Sequence, residues 1–262
     1  MTSSSGPWSD GDDPAGRADD GARAGMPPAH AAVHPEPQGS RGLSLLRETA
    51  IILISALVLS WIIKTFLVQA FYIPSGSMED TLQVGDRVMV SRLVPDAFDV
   101  HRGDIVVFKD PGGWLPPYQE EDRGPVGNAL RDAATFVGLL PQDTGEHLIK
   151  RVIGLPGDTV ECCDAEGRVM VNGVAIDESE YLAAGAIPSE IEFSATVPED
   201  MVFVLGDNRQ HSKDSRYNTG NPGGGFVPMD NVVGSTFVIV WPFADAQLLR
   251  NPGDVFADVP AP

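Results

Sequence analysis

Cysteine, lysine and histidine are all scarce in this 262-residue chain, and each shortage closes off some chemistry. The two cysteines, Cys162 and Cys163, are adjacent. Across a trans peptide their Cα atoms stand about 3.8 Å apart, under the ~4.4 Å at which disulfides usually begin, so a bridge between them is strained. No His or Cys cluster stands beside them to complete a metal site, so no metal or other cofactor is expected. Cysteine usage therefore says nothing about compartment. Basic side chains number 18 against 37 acidic ones, a formal net charge of −19. Gripping nucleic-acid phosphates needs basic surface, and nucleic acid is an unsuitable partner for such a chain. Long apolar runs are absent apart from one.

What is present divides into four kinds of segment. Residues 1–42 are rich in Gly, Pro, Ser, Asp and Ala and nearly devoid of aliphatic side chains. They cannot offset the entropy of ordering and read as a disordered tail. From residue 43 the character changes: "AIILISALVLSWII" is uninterrupted, bounded by Arg47 and Glu48 before it and Lys64 after it. Extended on either side, to 43–66, it reaches the roughly 20 residues that cross a bilayer. A buried core helix and a cleaved secretory signal are the competing readings, the second because "VQA" at 68–70 has the small residue of a cleavage site. The tail is far too long for the leading region of such a signal, which favours an uncleaved single-span anchor. Arg41 and Arg47 flank its first end while only Lys64 lies just past the other, so the bias of positive charge puts the tail in the cytoplasm and residues 67–262 outside.

That exterior part reads as strands and turns. "VGDRVMVSRL", "RGDIVVFKD", "HLIKRVIGLPGDTVE", "GRVMVNGVAI", "MVFVLGDNR" and "VVGSTFVIVWPF" are short β-branched runs closed by Gly, Pro, Asp or Asn. One helical stretch is expected near "GNALRDAATFVGLL", and insertions near 110–147 and 218–225 look like surface loops, with Trp114 and Leu115 able to touch lipid. A mainly β domain of coiled antiparallel sheets is the expected fold.

The stretch "IPSGSMEDTL" follows the anchor closely, with Ser75 and Ser77 on either side of Gly76. A turn would explain it, since Pro74 presets φ and Gly76 tolerates many conformations. If Ser77 is instead a nucleophile, it needs a base to take its proton. His101, His147 and His211 are the exterior histidines, and none sits in a stretch that looks built to hold it. Exterior lysines are Lys109, Lys150 and Lys213. Lys150 lies mid-strand, on one face with Leu148 and Val152, where desolvation lowers an amine pKa toward the range of a general base. A lysine snorkelling from a strand edge would show the same pattern.

In order, "FYIPSGSMEDTLQVGDRVMV", "RGDIVVF", "IKRVIGLPGD" and "GDNRQHSKDSR" resemble the motifs of the bacterial type I signal peptidases, Ser/Lys membrane proteases that remove secretory signal peptides. The resemblance runs from about residue 44 to 243. It implies Ser77 as nucleophile, Lys150 as general base, and an oxyanion hole from the Ser75 hydroxyl and the Ser77 N–H. It further implies that Ser212 orients the lysine, that Asp214 and Arg216 form a supporting ion pair, and that Ile73, Pro74, Met78, Leu82 and Ile149 line shallow apolar pockets. Two departures stand out: Asp80 occupies a position where the family often has proline, and "NTGNPGGG" interrupts the run from "SRY" into "GFVP".

Residue chemistry agrees with that assignment. A hydroxyl partner can position an amine without the negative charge that would raise its pKa, so Asp214 is expected to face Arg216 rather than Lys150. An extended signal peptide could add to the strand edge at 73–77, with small pockets accepting Ala at the residue before the cut and at the third before it. Two other classes compete. A self-cleaving Ser/Lys repressor would need a DNA-binding module, which the acidic tail does not supply. A membrane-tethered, non-catalytic β domain that binds a partner would leave the spacing of four motifs to chance.

Overall fold

The computed structural model describes residues 41–116, 124–127 and 145–262. Residues 1–40 of the expected tail, and almost all of the expected helix at 127–140, lie outside the described residues. The chain divides into two units, Met1–Thr49 and Ala50–Pro262, and every strand belongs to the second.

Helix α1 (Arg41–Ile62) starts two residues before the expected anchor. Its residues 44–63 have a mean hydropathy of 1.9 and none is buried, so this is one helix long and apolar enough to cross a membrane. It is apolar all round, as a lipid-facing helix is and a core-facing amphipathic one is not. A π-helical turn (Ile63–Leu67) follows, and its cap residue Val68 is already extended. The "VQA" segment is thus the start of a strand, β1 (Val68–Tyr72), paired throughout with β2 (Arg87–Ser91).

The remaining strands in chain order are β3 (Ile105–Lys109), β4 (His147–Gly154), β5 (Thr159–Cys162), β6 (Val169–Val171), β7 (Val174–Ala175), β8 (Phe193–Thr196), β9 (Met201–Leu205), β10 (Val227–Pro228), β11 (Val232–Trp241) and β12 (Gln247–Leu248). The larger sheet runs β1-β2-β11-β3-β4-β9-β10, with β12 on β11, and a smaller one runs β7-β6-β5-β8. All pairings are antiparallel. The mainly β, multi-sheet architecture expected from the alternating runs is what forms.

Strand sequences match their positions. In β2 only Val88 and Val90 are fully buried, the alternation of a one-sided strand, whereas β3 "IVVFK" buries its first four residues on both faces. Gly234 in β11 is required, because a Cβ there would collide with the Ser91 carbonyl of β2. Three apolar clusters result. One underlies the smaller sheet (Ile153, Val160, Val169, Val171, Ile176, Phe203). A second contains Ile73, Met78, Leu82, Val88, Val107 and Ile149. A third gathers Val106, Phe108, Trp114, Val152 and Val204.

One expectation changes here. Trp114 is not a lipid contact: its ring is buried edge-on against Phe108 at 5.7 Å, because Asp110 accepts the N–H groups of Gly112, Trp114 and Leu115 and folds the turn inward. Cys162 and Cys163, whose redox state the sequence left open, meet through their sulfurs at the end of β5.

Candidate active site

The backbone leaving β1 is steered before the serines are reached. Ile73 N–H donates to the Asp86 carbonyl and Gly85 N–H to Ile73 O, both at 2.9 Å, which leaves Pro74 and Ser75 extended and exposed. A 3-10 turn (Gly76–Met78) then folds the chain back, closed by Glu79 N–H to Gly76 O at 3.2 Å and followed by a turn in which Leu82 N–H donates to Met78 O at 2.7 Å. Met78 and Leu82 are fully buried beneath this turn. Burying each is worth roughly 1.5–3 kcal/mol, so an apolar floor holds Ser77 in place.

Lys150 comes from β4, paired with Val106 of β3. Its neighbours on the same face, Leu148 and Val152, pack in one apolar cluster, as the alternation implied. Its Nζ lies 2.6 Å from Ser77 Oγ and 2.8 Å from the carbonyl of Ile149, donating to both in its ammonium form. Lys150 is 4% exposed and Ser77 5%. Burial pulls the ammonium down to a pKa of about 8, against the opposing pull of the Asp214 and Asp207 carboxylates. Lys150 is no snorkelling edge residue. Ser75 Oγ lies 3.5 Å from Ser77 Oγ.

The histidines are engaged elsewhere. His211 Nδ1 meets Asn208 Oδ1 at 3.0 Å, His101 faces Asp104, and His147 packs on the ring of Phe71.

Asp214 takes Arg216 in a bidentate pair, both contacts 2.8 Å, and accepts the Gly206 N–H at 3.1 Å. It faces the guanidinium, as expected, though its charge is still felt at Lys150. Ser212 is buried. Its Oγ is buried without a hydrogen-bond partner among the described residues, and the second contact of the ammonium goes to the Ile149 carbonyl, a stronger acceptor close at hand. Ser212 packs against Gly206. A Cβ at Gly206 would collide with Ser212 Oγ and come within 2.5 Å of the Ser77 carbonyl, so only glycine fits.

Of the expected pocket residues, Ile73, Met78, Leu82 and Ile149 do come together, but as one buried cluster under the serine with little open surface, while Pro74 is exposed. The sequence reading missed the polar frame around the dyad. Asn208 donates its backbone N–H to Ser77 O at 3.1 Å and its side-chain amide to Gly76 O and Glu79 Oε2, each at 3.0 Å. Arg151 grips Asp207 at 2.6 and 2.8 Å, and Thr81 donates to the same carboxylate at 2.6 Å, tying the serine turn to the lysine strand. Arg209 pairs with buried Glu178, to which Tyr181 donates at 2.7 Å. A signal existed: "KR" on a strand and "GDNR" in a loop put too much charge in apolar surroundings for a solvated edge.

Comparison with known proteins bears on this arrangement. A family model described as "Signal peptidase, peptidase S26" matches residues 46–241. The probable signal peptidase I of Mycobacterium leprae is 37% identical over 226 residues, 76% of this chain and 77% of its own. The signal peptidase I of Mycobacterium tuberculosis is 36% identical, covering 79% and 76%. The probable signal peptidase I-2 of a Synechocystis species is 36% identical, covering 77% and 76%.

Proposed function

The chain belongs to the signal peptidase family of serine endopeptidases, peptidase S26, and from that premise we propose that it is a membrane-anchored Ser/Lys protease removing signal peptides from secreted precursors after Ala-x-Ala sites. The observation that carries the reading is the 2.6 Å approach of a buried, partner-poor lysine to the Ser77 hydroxyl.

Neutral Lys150 takes the Ser77 proton as Oγ attacks the scissile carbonyl. The tetrahedral oxyanion is held by the Ser75 hydroxyl and the Ser77 N–H. As the C–N bond breaks, the Lys150 ammonium gives its proton to the departing amine and leaves an acyl ester on Ser77. Water then attacks that ester, giving a proton to Lys150, and collapse returns the proton to Ser77 Oγ. A pKa of about 8 makes Lys150 a base that is part neutral near neutral pH and still a competent acid for the leaving group. In this reading α1 spans the membrane, with its positively flanked end in the cytoplasm and the β domain outside. The signal-peptide strand lies along the 73–77 edge.

The test is cleavage of an Ala-x-Ala peptide by detergent-solubilised protein. Ser77→Ala and Lys150→Ala should each abolish it with thermal unfolding nearly unchanged, and residual activity within tenfold of wild type in either variant would sink the dyad.

A further inference from the structure

Beyond Ser77 the structure holds a cleft of about 460 Å³ that the mechanism above does not use. Glu79 and Asp80 form one wall, the 183–187 loop the other, and Asn208, Gln210 and His211 the end. It adjoins the reacting centre directly. The Asn208 N–H holds the Ser77 carbonyl at 3.1 Å, and the Glu79 carboxylate lies over Gly76, where an added Cβ would come within 2.6 Å of it.

The two walls are built for the place they occupy. Asp80 holds φ = 74°, a backbone conformation closed to proline, whose ring fixes φ near −65°. That conformation turns its carboxylate across the cleft to accept the Ala184 N–H, pinning the 183–187 loop to the serine turn. Glu79 is fixed by the Asn208 amide. Both carboxylates face the cleft without an arginine or lysine among its lining residues. The 183–187 side is built of Ala, Gly and a single Ile, leaving room for a chain rather than filling it.

Substrate geometry supplies the occupant. If the part of the peptide before the cut lies on the edge at 73–77, the part after it must leave past Ser77. Straight down is closed by Met78 and Leu82, and the lysine side by β4. The open route is over Glu79.

We infer that this cleft, given the proposed protease reading, is the subsite for the first two residues of the leaving chain, and that Glu79 and Asp80 make the enzyme favour basic over acidic residues there. A like charge brought against these carboxylates is rejected, and an opposite one is drawn in.

The experiment uses the full chain in detergent at pH 8. Three peptides share an Ala-x-Ala site and differ only in the two residues after the cut: Lys-Lys, Ser-Ser or Asp-Asp. The wild type should show kcat/KM for Lys-Lys about tenfold or more above Asp-Asp, shrinking in 0.5 M salt as exposed charge pairs are screened. In the double variant Glu79→Gln, Asp80→Asn the ratio should fall to within about twofold. Gln keeps an acceptor for Asn208, and Asn tolerates positive φ. Should the double variant fail to fold, Glu79→Gln alone is expected to cut the ratio by about threefold. Equal wild-type rates on Lys-Lys and Asp-Asp, with cleavage still lost in Ser77→Ala, would overturn the subsite and leave the protease reading standing. So would a ratio unchanged in the variants. No Ser77-dependent cleavage of any peptide overturns both.

Discussion

The two sheets bury different things. The smaller one packs β5, β6 and β8 over Val160, Val169, Val171, Ile176 and Phe203, an apolar interior of the ordinary kind. Around β4 and β9 the larger sheet buries Lys150, Arg151, Arg209 and Arg216, with Glu178, Asp207 and Asp214 to answer them. The first region needs no explanation beyond transfer of hydrocarbon from water. The second spends stability on desolvating ions, which even well-paired geometry only roughly recovers. Within it the sharpest contrast is between consecutive residues. Arg151 has a bidentate carboxylate, the Gly103 carbonyl and the Tyr181 ring at 4.1 Å, whereas Lys150 has a hydroxyl and a carbonyl. One cation is fully answered and serves as structure. Its neighbour is left short of a counter-charge in a buried place, which suits the base that the proposed mechanism needs.

The largest expected effect separates these neighbours. Lys150→Met should cost at least ~10³-fold in kcat with little loss of stability, since it removes a poorly paired buried charge. Arg151→Met leaves Asp207 buried and unpaired and should cost about 3–5 kcal/mol of unfolding free energy. Chemical denaturation with peptide cleavage measures both. If Lys150→Met were as destabilising as Arg151→Met, the contrast would be lost.

Next comes pH. The folded-state pKa of Lys150 is about 8 against 10.5 unfolded. Below pH 8 both states carry the proton and the folded state bears the full penalty of the buried charge. Between about 8 and 10.5 the unfolded chain holds more protons, so stability rises with pH. The gain saturates near ~3 kcal/mol, an order-of-magnitude figure from the pKa difference. Denaturant unfolding of wild type against Lys150→Met from pH 7 to 10 should show that gain in the wild type alone. The same group should give kcat/KM a limb that rises with pH and levels off above about 8. A limb near pH 6.5 lost on mutating His211 would point to a histidine instead.

Gly206→Ala tests the polar region without altering charge. Its Cβ would press on the Ser77 carbonyl, so kcat should fall by about 10²-fold, the scale of a small misplacement at a reacting group, with thermal unfolding lowered as well because backbone must shift to admit it.

The smallest effect on activity is at Asp214, although Asp214→Asn also leaves Arg216 buried without its carboxylate and should lower unfolding free energy on the scale of Arg151→Met. Asp214→Asn removes the foremost charge opposing the depression of the Lys150 pKa, so the activity limb should move to lower pH. A move to higher pH would show that Asp214 acts through geometry alone. An Arg216→Lys control separates the charge from the fork that holds it.

Much of this was legible in the residues. Alternation in "RVMVS", continuous burial in "IVVFK", and the apolar helix before them come from short-range patterning, and the motif order pointed to Ser77 and Lys150. The partners of Asn208, Arg151 and Thr81 were not legible, even where burial of charge in "KR" and "GDNR" was, because each pairs residues far apart in sequence, Thr81 with Asp207 across 126 positions. Their role exists only once β4 lies beside β9. Met78 and Leu82 show the opposite difficulty: an apolar residue near a serine reads equally as pocket lining or as foundation, and both are fully buried beneath the turn.

The passage from helix to strand has no slack in it. The π turn ends at Leu67 and β1 begins at Val68. From there to Ser77 a fully stretched chain reaches at most ~30 Å. In the proposed reading, with α1 in the bilayer, an anchor that short is a ruler: it would confine the hydroxyl to a thin layer, so a precursor held in the same layer would meet it at the high effective concentration of a tethered pair. Polypeptides already free in bulk solution meet it only at their bulk concentration. On that reading, discrimination between nascent exports and finished proteins would begin with reach, before any pocket is consulted.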